Sequence, residues 1–255
     1  MRMTNDMIDG IYNYCDGWCE RCSFLQRCPV GLDIAATTDV QQEIHSEVFW
    51  QNLNEDFTEI ETILKEEAEK QGFSFEMSEQ EWQEYKRSQE QVRKETQESA
   101  LMKTCKTYAF TVNDWQKKMH PFLENETEEV MQMFNLGLTL EKGVLDRMQA
   151  IKENLEVILW YSFFISAKFH RALQGKTEDD GWERANGYQR DFDGSAKIAL
   201  IGAERSLEAW AQLTQLLPDI LDEVLPLMAK LQKIIQMGDA EFPEARQFIR
   251  PGFDE

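Results

Sequence analysis

Apolar side chains recur at three- and four-residue steps through most of this chain, from about residue 38 to residue 240. Such spacing places them on one face of an α-helix, whereas a half-buried strand would alternate apolar and polar residues. No alternating stretch of useful length interrupts the pattern. The sequence therefore predicts an all-α fold, a bundle of five or six helices preceded by a short cysteine-rich segment.

Local signals in the first half predict where helices begin and end. The composition changes at residues 37–39, where the first helix of the bundle is expected to start. Ser78 and Glu81 form a capping-box pattern, in which each side chain satisfies a backbone N–H of the other residue, so a second helix is expected there. The apolar seam of this helix fades around residues 93–100, where a break in the helix is expected, and Pro121 is expected to end it. Asn125 is expected to open a third element.

The second half contains the strongest apolar pattern, from about Val144 to Leu173, with apolar residues in several directions around the helix axis. This predicts a central helix surrounded by others. Three turn signals between residues 174 and 194 predict a long loop, after which Asp193 is expected to cap the next helix. Pro218 is expected to separate that helix from a last helix. The chain is accordingly divided into a cysteine-rich segment, residues 1–37, and a helical bundle domain, residues 38–255.

The charge balance excludes some partners. Lys and Arg number 27 against 47 Asp and Glu, a formal net charge of −20 that repels nucleic acid and anionic membrane surfaces. The most apolar stretch, Val157 to Ala167, is far shorter than the roughly 20 residues needed to cross a bilayer. No secretory signal is recognisable near the N-terminus. A cytoplasmic protein is expected, with no nucleic acid and no membrane as partner.

Four cysteines lie within 14 consecutive residues in the spacing C-x3-C-x2-C-x5-C: Cys15, Cys19, Cys22 and Cys28. Clustered thiolates on a short loop are typical of a metal centre. Structural zinc sites generally join two cysteine pairs across a longer spacer, whereas iron–sulfur motifs place several cysteines in one short run. The spacing favours a [4Fe–4S] cluster and leaves zinc open.

Two other readings of the cysteines remain open, a disulfide framework and a set of buried thiols. Disulfides are rare in the cytosol, which counts against the first. In the metal reading, Arg21 and Arg27 would offset thiolate charge and Trp18 would shield one side of the site from water. The fifth cysteine, Cys105, lies on an apolar helix seam and is expected in the core.

The first three cysteines resemble the C-x3-C-x2-C motif of radical S-adenosylmethionine enzymes. That family alternates strands and helices, which this chain does not, and Arg21 stands where the family usually has an aromatic residue. The stretch from Tyr14 to Cys22 is also similar to a group of uncharacterised bacterial proteins that share a C-D-x-W-C-E-R-C segment. A second match covers residues 193–201. This resemblance implies a helical body with an N-terminal cysteine cluster and no particular activity.

Basic side chains flank the 174–194 loop and predict a possible pocket for an anionic ligand. Its candidate residues are His170, Arg171, Arg190, Lys197 and Arg205. His170 lies near the C-terminal end of the central helix, where the helix dipole favours its charged form. A di-iron carboxylate centre is not expected, since no histidine follows a glutamate at the Glu-x-x-His spacing.

Three functions fit this sequence. The first is a cytoplasmic helical metalloprotein whose four cysteines bind an iron–sulfur cluster or zinc, with a redox or regulatory role. The second is a zinc-stapled helical scaffold that binds a protein partner through its acidic helices. The third is an enzyme with an anionic-ligand site at the 174–194 loop.

Overall fold

The computed structural model describes residues 7–36, 78–136 and 143–254, together with a few positions between residues 51 and 70. Every regular element in this part of the chain is helical, and none of it is strand. The predicted all-α class is confirmed. Among the described helices, none is both long and apolar enough to cross a membrane.

By its internal contacts the chain forms two compact units. The first comprises Met1–Tyr12 and Gly17–Gln91, and the second comprises Asn13–Asp16 and Val92–Glu255. The predicted domain boundary at residue 37 and the first helix expected after it fall largely outside the described residues. Both stay predictions.

The first unit contains two short 3-10 turns, Cys19–Arg21 and Leu25–Arg27, followed by helix α1, Pro29–Ala36. Helix α2 spans Glu79–Glu98 and continues into the second unit. The Ser78 amide N–H donates to Glu81 Oε2 at 2.7 Å, and the Glu81 N–H donates back to Ser78 Oγ at 3.3 Å. The predicted capping box is confirmed.

Helix α3 spans Ala100–Asn135 and is separated from α2 by a bend at Ser99, which confirms the expected break. The prediction that Pro121 ends a helix is wrong, because Pro121 lies inside α3. Proline removes one backbone donor from a helix, and this loss weakens a long helix without necessarily ending it. The third element expected to open near Asn125 is part of the same helix.

Four helices complete the second unit: α4, Val144–Thr177; α5, Trp182–Ala185; α6, Asp191–Leu216; and α7, Leu221–Glu241. The predicted central helix corresponds to α4. The expected 174–194 loop is shorter than predicted, residues 178–190, and includes α5. Asp193 is not the N-cap of α6, which is Arg190. The Asp193 carboxylate binds the Arg190 guanidinium instead of a backbone N–H. The helix begins before this residue, at Asp191.

The core of the second unit lies where α4 and α7 pack against α6, with α3 packed on α4 and α7. A Cβ at Gly202 of α6 would come within 2.9 Å of the Tyr161 ring of α4, so this glycine permits the close approach of the two helices. Trp210 is fully buried and donates from Nε1 to Tyr108 Oη at 3.1 Å. Cys105 is buried as expected, and burial raises the pKa of its thiol to about 12.

Candidate functional site

The N-terminal cysteines lie on or beside short turns. Cys19 begins the first 3-10 turn, and the Cys22 N–H donates to the Cys19 carbonyl at 3.1 Å. The second turn ends one residue before Cys28. Cys15, Cys19, Cys22 and Cys28 are all of intermediate exposure, which leaves them accessible to a metal or an oxidant.

Contacts within the first unit keep its part of the cysteine segment compact. The Arg21 guanidinium stacks on the Trp18 ring, 4.1 Å from the ring centroid. The Ile8 N–H donates to the Arg27 carbonyl at 3.0 Å. Gly31 lies so close to Leu25 that a Cβ would come within 2.6 Å of the Leu25 carbonyl oxygen. Trp18 therefore packs against the Arg21 guanidinium, and it directly precedes Cys19 in the sequence.

The described residues contain no group of three or more His, Cys, Asp or Glu side chains arranged to hold a metal ion. Cys15 belongs to the second compact unit and the other three cysteines to the first. The donor chemistry of four thiols nevertheless suits a thiophilic metal. The metal centre and its identity stay predictions from the cysteine spacing.

Residues Asn13–Asp16, termed the anchor below, are held on α4 and α6. Asp16 Oδ2 accepts hydrogen bonds from Tyr161 Oη at 2.6 Å and from Arg205 Nη1 at 2.8 Å. Trp160 Nε1 donates to the Asp16 carbonyl at 3.1 Å. Burial, more than the nearby Asp16 carboxylate, raises the pKa of Tyr161 to about 12. Its hydroxyl is therefore protonated at neutral pH and serves as a donor to Asp16.

The side chain of Tyr14 is the second fixed point of the anchor. Its hydroxyl donates to Asp191 Oδ1 at 2.9 Å, and the same carboxylate accepts from Arg171 Nη2 at 2.7 Å. The Tyr14 ring packs on Phe248, with the ring centroids 4.6 Å apart. Burial, reinforced by the Asp191 charge, raises the pKa of Tyr14 well above its usual value. Tyr14 is thus a neutral donor at physiological pH.

Gly194, at the start of α6, supports the Tyr14 ring. A Cβ on Gly194 would lie 2.5 Å from Tyr14 Cε1 and 2.7 Å from Phe248 Cζ. Only glycine leaves room for both rings at this point. The two sequence stretches that carry the resemblance to the C-D-x-W-C-E-R-C proteins are therefore in contact here. The first contains Tyr14, and the second contains Gly194, against which the Tyr14 ring packs.

Cys15 lies between the two fixed points, in the neighbourhood of the Lys168 ammonium. Lys168 Nζ donates to the Asn13 carbonyl in a long contact of 3.4 Å. Burial, together with the Arg171 charge, lowers the pKa of Lys168, and negative charge on Cys15 opposes that shift. A Cys15 thiolate and the Lys168 ammonium would therefore stabilise each other.

Four of the five predicted pocket residues, Arg171, Arg190, Lys197 and Arg205, have carboxylate partners of their own. Arg171 and Arg205 bind the separate carboxylates of Asp191 and Asp16. Acidic side chains distant in the sequence supply each guanidinium with its own counter-ion, and through these pairs both arginines contribute to the anchor. The shared ligand pocket stays a prediction.

The other three candidates also have separate surroundings. Lys197 Nζ donates to Asp254 Oδ2 at 2.7 Å and to the Phe248 carbonyl, which holds the C-terminal residues against α6. Arg190 pairs with Asp193 at 2.7 Å and with Glu244 at 3.0 Å. Partial burial and the nearby cations Lys106 and Arg93 lower the pKa of His170, so the expected preference for its charged form is wrong.

Sequence reasoning missed the residues that fix the anchor: Tyr14, Asp16, Trp160, Tyr161 and Asp191. Tyr14 and Asp16 directly flank Cys15, which was the one available signal. The partner of Tyr14 is 177 positions away along the chain and that of Asp16 is 145 positions away, beyond the reach of any local pattern.

Replacing Asp16 by alanine is expected to release this part of the anchor, since Tyr161 and Arg205 would lose their shared acceptor. Hydrogen exchange of a peptide covering residues 11–18 should accelerate several-fold, while peptides from α6 and α7 stay unchanged. Lys118→Ala is the matched control, because it breaks an exposed pair with Glu223 at the same 2.8 Å length. Equal exchange in both variants would show that the Asp16 contacts do not hold the segment.

The chain matches no protein-family model, no curated protein and no solved structure. The anchor, the four thiols and the charged groups around them are therefore the basis on which its function is proposed.

Proposed function

We propose that Cys15, Cys19, Cys22 and Cys28 bind one metal centre and that the protein is a helical metalloprotein with a redox or regulatory role. The observation that carries this proposal is the presence of four partly exposed cysteines within 14 consecutive residues, on or beside short turns. Four thiolates form a complete ligand set for a [4Fe–4S] cluster or for structural zinc.

The surroundings of the cysteines support this chemistry. Four thiolates carry negative charge that nearby cations must offset. Lys168 lies near Cys15, and Arg21, which stacks on the Trp18 ring, directly precedes Cys22 in the chain. Tyr14 and Asp16 fasten the chain on either side of Cys15 to the bundle. A ligand anchored in this way loses less conformational freedom when it binds a metal than one on a free tail.

Between the two candidate metals, the consecutive spacing favours the [4Fe–4S] cluster. When bound, such a cluster supplies one-electron redox chemistry, and the hydrogen bonds and charges around its sulfurs tune its potential. Zinc in the same ligands would stabilise the segment without redox activity. The protein's own contribution is to hold Cys15 on α4 and α6 and to provide compensating charge.

Anaerobic purification followed by an absorption spectrum and metal analysis tests the proposal. We expect a brown protein with about four iron atoms and about four sulfides per chain, bleached by dithionite. The double variant Cys19→Ser with Cys22→Ser should lose the colour and the metal. Cys105→Ala should retain both, because the Cys105 thiol is buried in the core away from solvent.

The alternative outcomes are distinct. A colourless protein with one equivalent of zinc, lost in the double variant, would refute the cluster and retain the four-cysteine site. A protein that binds neither iron nor zinc under these conditions would refute the metal centre altogether. Iron content that survives the loss of Cys19 and Cys22 would place the metal elsewhere in the chain.

A further inference from the structure

Two aromatic rings from the packed helices α3 and α4 lie together on the surface of the second unit. Phe110 of α3 is 57% exposed and Phe163 of α4 is 50% exposed. The two rings meet edge to face, with their centroids 5.8 Å apart. A single exposed apolar side chain is normal in a folded protein, whereas two large rings in contact form a joint apolar patch that a partner can cover.

Basic side chains continue this patch along both helices. Lys106 lies four residues before Phe110 and His170 lies seven residues after Phe163, and these spacings keep each pair on one helix face. Burial, together with the charges of Lys106 and Arg93, lowers the pKa of His170, because both cations lie near this ring. In the described part of the chain, neither Lys106 nor Arg93 has an ion pair. These five residues form the basic–aromatic surface.

The sequence around the basic–aromatic surface lacks acidic residues. Residues 100–113 of α3 contain two Lys, residues 157–177 of α4 contain two Lys and one Arg, and neither stretch contains Asp or Glu. The whole chain has 47 acidic against 27 basic side chains, so this composition is a local exception. The basic–aromatic surface is therefore a positive region on a negative protein, and its field favours an anionic partner.

Shape and overall charge select the class of this partner. Sites for small molecules are concave and enclose most of the ligand, whereas both rings here are half exposed along two packed helices, a surface on which a third helix can lie. Nucleic acid and anionic membranes carry extended negative charge, which the net charge of −20 repels. A short helix can instead bring a few carboxylates to the basic side chains alone.

We propose that the basic–aromatic surface binds an acidic amphipathic helix of a partner protein. Apolar residues of that helix cover Phe110 and Phe163, and its carboxylates pair with Lys106 and Arg93. From Phe163 to His170 the surface follows α4 for roughly 10 Å, and a partner helix of a few turns is long enough to span it. All five residues belong to the second unit, so this binding does not depend on the metal centre.

A displayed library of helical peptides, selected on the full chain with its native metal content, tests this proposal. The peptides are about 16 residues long, with leucine at the spacing of one helix face and random residues elsewhere. The selected peptides should be rich in Asp and Glu on either side of the leucine face. Fluorescence anisotropy then measures the affinity of the best peptide. Lys106→Glu should weaken binding at least tenfold because it replaces attraction by repulsion, and Phe163→Ser should do so by removing apolar contact.

Lys118→Glu is the matched control, because it reverses the charge of another exposed lysine of α3, one that pairs with Glu223 of α7. It should leave the affinity unchanged. Phe163→Ser keeps the test decisive if Lys106→Glu does not fold. A library without binders, selected peptides without an acidic excess, or equal affinity of Lys106→Glu and the unmodified chain would overturn the proposal. So would binding to phosphatidylglycerol vesicles that Lys106→Glu abolishes, since the surface would then serve a lipid.

Discussion

Replacing Gly194 by alanine is expected to destabilise the second unit by about 2–3 kcal/mol, the upper part of the range typical of overpacking a filled core. The added Cβ would lie 2.5 Å from the Tyr14 ring and 2.7 Å from the Phe248 ring, so at least one ring has to move. The midpoint of thermal unfolding should fall by about 4–12 °C. Because Tyr14 is part of the anchor, hydrogen exchange around residues 13–16 should also accelerate.

Gly175→Ala is the matched control within α4. A Cβ there would meet the Phe192 Cβ at 3.2 Å, a contact that a small shift relieves, and alanine is the better helix former by roughly 0.5–1 kcal/mol. This variant should change stability by less than about 1 kcal/mol. Equal midpoints for the two variants would show that the Tyr14 and Phe248 rings do not depend on the absence of a side chain at residue 194.

Replacing Trp210 by alanine is expected to have the largest effect on stability, about 3–5 kcal/mol. Trp210 is fully buried, packs edge-to-face on Trp115 with centroids 4.8 Å apart, and donates to Tyr108 Oη. Alanine would leave a cavity between α3 and α6 and would remove the hydrogen bond of a buried hydroxyl. Thermal unfolding should begin about 6–20 °C lower.

Trp182→Ala provides the comparison, because Trp182 is 59% exposed and leaves no enclosed cavity when truncated. Its effect should stay within about 1 kcal/mol, as for most exposed positions. If the two tryptophan variants unfold at the same temperature, the core assigned to the second unit is wrong. Trp210→Phe should fall between them, since it keeps most of the apolar volume and loses the indole N–H.

Features that depend on neighbouring residues were predictable from the sequence. The capping box of Ser78 and Glu81 and the central helix α4 follow from spacing within one or a few turns. The four cysteines were also recognisable from the sequence, because it is their spacing within 14 residues that indicates a metal site.

Local signals failed where tertiary partners compete with them. Pro121 was expected to end a helix and lies within α3, and Asp193 was expected to cap α6 and binds Arg190 instead. Neither outcome is visible from adjacent residues. Both depend on how the surrounding chain stabilises a helix that extends past the local signal.

The basic residues around the 174–194 loop show the same limit. Arg171 and Arg205 were expected to line a ligand pocket because they flank this loop, and local spacing gave no indication of their partners. Each guanidinium meets a carboxylate that the fold brings to it, Asp191 for Arg171 and Asp16 for Arg205. An ion pair forms wherever opposite charges come within a few ångströms, and sequence separation does not limit that distance.

By itself, the sequence determined the all-α class, the helix that dominates the second unit and the presence of four closely spaced thiols, because each is encoded by short-range periodicity or spacing. Only the tertiary structure decided that Tyr14 and Asp16 fasten the chain beside Cys15 to α4 and α6, and that Gly194 makes room for this contact. These interactions join residues up to 189 positions apart, and they arise when packed helices bring complementary groups together. These contacts stabilise the chain only after it has folded, because no single segment contains both partners.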